Sequence, residues 1–159
     1  MMEYEIERKF LVTSDEYRRV SDGEDYKQGY LNSDKERVIR VRTKSSSAYL
    51  TIKTLQKDLI RKEFEYEIPL DHANYLLENV CERPIIEKTR YHIHHGDHIW
   101  EVDEFHGEND GLIIAEVELG SADEEVLLPD WIGKEVSDDW RYYNSNLLQN
   151  PFKNWRTEV

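Results

Sequence analysis

Read at the two-residue period of a strand, Glu3 to Val12 sets Glu3, Glu5, Glu7 and Lys9 on one face and Tyr4, Ile6 and Phe10 on the other. The same alternation predicts strands through most of the chain. Tyr26–Leu31 is broken by Gly29, a residue that marks a bulge or a close backbone approach. Glu36–Lys44 places Val38, Arg40, Arg42 and Lys44 together against Ile39 and Val41, and Ala48–Thr54 opposes Tyr49, Thr51 and Lys53 to Ala48, Leu50 and Ile52. Arg61–Ile68 is the cleanest case, with Arg61, Glu63, Glu65 and Glu67 opposite Phe64, Tyr66 and Ile68. Pro84–His95 pairs Lys88 with Arg90, Ile99–Phe105 pairs Glu101 with Asp103, and Leu112–Leu119 pairs Glu116 with Glu118. Turn residues separate these runs, which predicts an antiparallel meander of about eight strands.

Helical signals are fewer. Residues 13–25 read as a loop with one or two helical turns, and Asp71 is placed to cap a helix from about His72 to Val80. Ser121 would cap a short helix through Val126, Asp130–Glu135 reads as a brief turn, and Ser137-Asp138-Asp139 would cap a helix from Trp140 to about Leu148. No linker or repeat interrupts the 159 residues, so one domain over residues 1–159 is expected.

Composition narrows the partners. A net charge of -13 argues against nucleic acid and anionic membranes, which need a basic field, so any bound anion must be held by a local basic cluster. Cys81 is the single cysteine, which excludes an internal disulfide and a thiolate zinc site and points to the cytoplasm. No apolar run has the length of a signal peptide core or a membrane span. His92, His94, His95 and His98 crowd one hairpin and read as a solvated turn rather than a metal site.

One wet strand face needs no functional explanation. Here, however, carboxylates pair at i, i+2 in four strands, as Glu5/Glu7, Glu63/Glu65, Glu101/Asp103 and Glu116/Glu118, and cations pair as Arg40/Arg42 and Lys88/Arg90. Like charges so placed, about 7 Å apart, gain nothing in stability. A site that gathers carboxylates for a divalent metal and Arg/Lys for a polyphosphate needs this distribution. Whether the charged faces point inward, around a polar cavity, or outward, around an apolar core, decides the function.

The ordered motifs EIERKFLV (Glu5 to Val12), QGYL (Gln28 to Leu31), RVR (Arg40 to Arg42), TIK (Thr51 to Lys53), RKEFE (Arg61 to Glu65), EKTRY (Glu87 to Tyr91), EVDEF (Glu101 to Phe105) and AEVE (Ala115 to Glu118) resemble the CYTH family of triphosphate tunnel metalloenzymes, over nearly the whole chain. The resemblance implies an α+β, mainly β fold: a closed eight-stranded antiparallel β-barrel, the triphosphate tunnel, with a few helices packed outside. It implies hydrolysis of triphosphate-containing substrates with Mg²⁺ or Mn²⁺, inorganic tripolyphosphate first, with class IV adenylate cyclase and thiamine triphosphatase as alternatives and a non-enzymatic polyphosphate-binding module behind them. Carried over, Glu5, Glu7, Glu116 and Glu118 are the metal ligands. Lys9, Arg40, Arg42, Lys53, Arg61, Lys88 and Arg90 form the phosphate cradle. Glu5, Glu7, Lys9, Glu63, Glu65 and Asp103 are the catalytic set, with two of Glu63, Glu65 and Glu67 matching the family's acidic pair. The expected partner is a small-molecule triphosphate, with a homodimer left open.

Overall fold

The computed structural model describes residues 3–34, 36–55 and 60–157. Nine strands form one antiparallel sheet: β1 Glu3–Val12, β2 Glu24–Asn32, β3 Arg37–Lys44, β4 Ser47–Leu55, β5 Ile60–Ile68, β6 Ile86–His95, β7 His98–Phe105, β8 Ile113–Glu118 and β9 Ile132–Glu135. Their order is β5-β4-β3-β2-β6-β7-β8-β1-β9. Each predicted alternating run is a strand, because each has one face to bury on each side of the sheet.

The closed eight-stranded barrel is not what forms. A ninth strand ends the sheet beyond β1, and one edge of β1 is divided: Glu3–Ile6 pair with Ile60–Glu63 of β5, whereas Phe10 and Val12 pair with β9. Between them, Lys9 bonds to a loop, its N–H donating to Ser137 Oγ at 2.9 Å and its carbonyl accepting from the Val136 N–H at 2.8 Å. Among the described residues β1 pairs with β5 over four residue pairs and with β9 at its other end, so the sheet is not closed into a uniform eight-stranded ring.

The convex face is apolar and covered. Helix α1, Leu70–Asn79, follows Pro69 without a side-chain cap; Asp71 lies in its first turn rather than capping it. Ala73 and Leu77 of α1, with Cys81, pack on Val41 and Ala48. A β-carbon at Gly29 would sit 2.9 Å from Cys81 Cβ, so this glycine marks a close approach; the irregularity in β2 falls just beyond it, between Tyr30 and Asn32. Elsewhere on this face Phe10, Trp100, Val102 and Val117 pack with Tyr17 and Trp131, Tyr17 coming from a 3-10 turn at Glu16–Arg19.

The C-terminal region departs from expectation. Residues 121–123 form a turn and 124–126 have no regular structure, where a helix was expected, and the brief turn expected at Asp130–Glu135 contains β9. The helix expected from Trp140 is split into a 3-10 turn, Trp140–Tyr142, and α2, Asn144–Gln149, by an extended Tyr143 (φ −74°, ψ 134°). This segment does not lie outside the sheet. Tyr142 and Leu147 pack with Tyr30, Val38, Ile86, Phe105 and Ile114, residues of the concave face. No helix among the described residues is long and apolar enough to cross a membrane.

Candidate active site

The concave face changes character along each strand. β6 reads Ile86, Lys88, Arg90; β7 reads Phe105, Asp103, Glu101; β8 reads Ile114, Glu116, Glu118; β1 reads Leu11, Lys9, Glu7. The apolar member of each series belongs to one cluster, with Leu11 partly buried against it, and the charged members follow at two-residue steps. The apolar ends therefore make a floor, and the charged ends line a cavity of about 220 Å³ above it.

Basic residues reach this cavity from five strands: Lys9, Arg40 and Arg42, Lys53, Arg61 and Arg90. Carboxylates face them from Glu7, Glu63, Glu101, Glu116 and Glu118. The acidic side owes its density to register, since Glu7 lies directly opposite Glu118 and Lys9 opposite Glu116 across the β1–β8 ladder. Lys9 Nζ donates to Glu116 Oε1 at 3.1 Å and lies 4.0 Å from Glu7. Burial alone would lower the Lys9 pKa, but Glu116 and then Glu7 outweigh it and hold the ammonium above its ordinary value.

On the basic side Arg42 has two described partners. Arg42 lies 3.8 Å from Glu65, with its guanidinium 5.3 Å from the Tyr26 ring centroid. Burial, followed by the charges of Arg40 and Arg90, lowers its pKa to about 10. Burial is the larger cause and the neighbouring guanidinium groups add to it, so an anion bound against Arg42 would favour its charged form.

Beneath these groups lies an ion-pair layer. Arg90 grips Asp103 with both forks, Nε to Oδ1 at 2.7 Å and Nη2 to Oδ2 at 2.9 Å, and its Nη1 donates to Glu101 at 3.1 Å. Lys88 Nζ lies 2.8 Å from Asp103 Oδ2. Burial opposes the Asp103 carboxylate, but Arg90 and Lys88 prevail and hold its pKa below the ordinary range. For Lys88 burial dominates: the ammonium is lowered to about 8, because Asp103 is already shared with Arg90.

Most of the expected site residues thus converge. Glu7, Lys9, Arg40, Arg42, Lys53, Arg61, Glu63, Arg90, Glu116 and Glu118 line one cavity. Lys88 and Asp103, each 1 % exposed, lie below it instead, and Glu65 points to Arg42 and Thr51 at 3.8 and 3.3 Å rather than lining it. The side chain of Glu5 lies outside the described residues. Sequence reasoning paired Glu101 with Asp103 but gave the site role to Asp103, whereas Glu101 is the one that faces the cavity; Tyr143 and Asn144, which close one side, were given no site role. Glu101 was detectable as the partner of Asp103 at i, i+2. Tyr143 carried no pattern, because it belongs to no regular element.

The chain is similar to known proteins over nearly its whole length. Residues 3–145 match the CYTH domain family. The chain is 49% identical over 152 residues to an inorganic triphosphatase of Acetivibrio thermocellus, covering 96% of this chain and 97% of that protein. It is 34% identical to an inorganic triphosphatase of Nitrosomonas europaea, covering 90% and 95%. The crystal structure of the inorganic triphosphatase NE1496 superposes with a TM-score of 0.64 at 32% identity, covering 90% of this chain and 96% of that one. The chain belongs to the CYTH domain family.

Proposed function

We propose that this protein hydrolyses triphosphate-containing substrates, inorganic tripolyphosphate foremost, with a divalent cation. The observation that carries the reading is the convergence of six cations and five carboxylates on one cavity within a chain of net charge -13. Such a basic cluster against an acidic background selects a compact polyanion. The two inorganic triphosphatase relatives, aligned over nearly their whole length, support the same substrate class.

The donor set suits Mg²⁺ or Mn²⁺. Among the described residues no three acidic, histidine or cysteine side chains gather around a single point. Mg²⁺ does not require that, since it is held by one or two carboxylates plus waters and substrate phosphates. Glu7, Glu116 and Glu118 would hold it together with Glu5, and the bound cation would supply charge neutralisation and a water of lowered pKa. Arg40, Arg42, Lys53, Arg61 and Arg90 hold the phosphoryl oxygens and neutralise charge as it develops, as Lys9 does from the acidic side. Glu63, opposite Lys53 across the β4–β5 ladder, accepts a hydrogen bond from the attacking water. Lys88 and Asp103 act from beneath by fixing Arg90, and Glu65 by holding Arg42.

This reading makes the partner a small molecule and the compartment the cytoplasm, in keeping with the acidic charge and lone Cys81. It is tested by phosphate release from tripolyphosphate, ATP and thiamine triphosphate with Mg²⁺, Mn²⁺ or chelator. Release should be fastest from tripolyphosphate and abolished by chelator. Cyclic AMP as the dominant product from ATP would overturn it.

A further inference from the structure

Lys9 and Arg61 come from neighbouring strands and enter the cavity from the same side. Two cations there repel each other, and both side chains are long and flexible. Lys9 is fixed from one direction by Glu116 at 3.1 Å. The Tyr143 ring meets both, with its centroid 5.6 Å from Lys9 Nζ and 5.3 Å from Arg61 Cζ. These distances lie within the range at which the negative face of an aromatic ring attracts a cation.

The ring is itself held. Tyr143 is the extended residue between the 3-10 turn and α2, its N–H donates to the Trp140 carbonyl at 3.2 Å, and its hydroxyl donates to the Ser137 carbonyl at 3.4 Å. Ser137 in turn accepts the backbone N–H of Lys9. One short segment, 137–143, therefore grips Lys9 at its backbone through a hydroxyl and at its ammonium through a ring. Tyr143 and Asn144 line the cavity while Leu147, one turn further, is sealed in the apolar floor, which anchors the segment.

We infer that Tyr143 is a positioning residue that holds Lys9 and Arg61 side by side through its ring face, so that the two cations receive one phosphoryl group of the substrate together. This inference rests on the triphosphate reading. The ring does not touch the reacting atoms in this role; it removes the ordering cost of two flexible cations from the binding step. The property that matters is the electron density of the ring rather than the hydroxyl.

The test replaces Tyr143 in the full chain, with Mg²⁺ present, by Phe and by Phe carrying one, two or three ring fluorines, which weaken the negative face while nearly keeping the shape. Tyr143→Phe is the conservative rescue. Across the fluorinated series KM for tripolyphosphate should rise stepwise, reaching about tenfold, with kcat changed less than about twofold. Melting temperatures across the series should not vary. Tyr143→Leu should show the same loss in KM, and if it fails to fold the isosteric series still decides. A KM flat across the series, or a fall in kcat alone, would overturn the inference. Tripolyphosphate binding by titration calorimetry follows the same series, so an inactive wild type that still binds would sink the hydrolase reading and leave this one to be judged by affinity.

Discussion

At the scale of single residues, the cavity sets binding against stability. Arg42 is held in its charged form against burial and against two neighbouring guanidinium groups. Removing its charge should relieve the empty pocket while depriving the substrate of a ligand. Arg42→Gln should therefore lower kcat/KM for tripolyphosphate by about a hundredfold or more, yet leave the substrate-free protein equally stable or up to about 1 kcal/mol more stable in urea unfolding. Lys88 gives a dependence on pH. Its folded pKa is lowered to about 8 from an ordinary 10.5, so between these values the folded chain sheds a proton that the unfolded chain keeps. Stability contributed by this group is complete above 10.5 and is lost as pH falls through 8. The stability of wild type relative to Lys88→Met should accordingly rise between pH 7.5 and pH 10, measured as the difference in urea midpoints at constant slope. Which residue of a pair does the chemistry was only half legible. Spacing at i, i+2 put Glu101 with Asp103 and Lys88 with Arg90 on shared faces. Depth along the strand is set by where the apolar floor ends, and it sends Asp103 and Lys88 below the cavity.

At the scale of elements, the long alternating strands were legible because each carries its own period, whatever it pairs with. The four-residue β9 was not. Too short to show a period, it exists because the edge of β1 at Phe10 and Val12 needs a partner. The helix expected from Trp140 failed for a related reason: local caps favoured continuity, but Tyr142 and Leu147 both reach the floor, and the extended Tyr143 between them divides the helix. Gly29 was legible as a special position, and its use is now specific. A methyl group there would meet the Cβ and Sγ of Cys81 at 2.9 Å and Leu77 Cδ2 at 3.0 Å. Gly29→Ala should push the end of α1 off the sheet and cost about 1–3 kcal/mol, read as a lower urea midpoint. Combining it with Cys81→Ala, which removes the sulfur but not the Cβ contact, should restore only part of that loss.

At the scale of the whole molecule, the charged strand faces turn inward, but only along part of their length. The sequence posed a choice between a polar interior and a greasy one, and the curled sheet contains both in series. Lys9 offsets part of the repulsion among the carboxylates gathered here, at 3.1 Å from Glu116 and 4.0 Å from Glu7, and a divalent cation bound beside them would offset more. Mg²⁺ or Mn²⁺ should therefore raise Tm in thermal unfolding, and more so with tripolyphosphate present, because ligands that bind only the folded chain stabilise it by mass action. An unchanged Tm across a metal titration would count against the carboxylate assignment. The apolar floor has one more effect. Tyr30, Ile86, Phe105, Ile114 and Leu147, each at most 3 % exposed, shut off passage at that end. Orthophosphate and pyrophosphate formed above that floor share the charged cavity with the next substrate. Turnover should then slow as products accumulate, with pyrophosphate acting as a competitive inhibitor in initial-rate measurements.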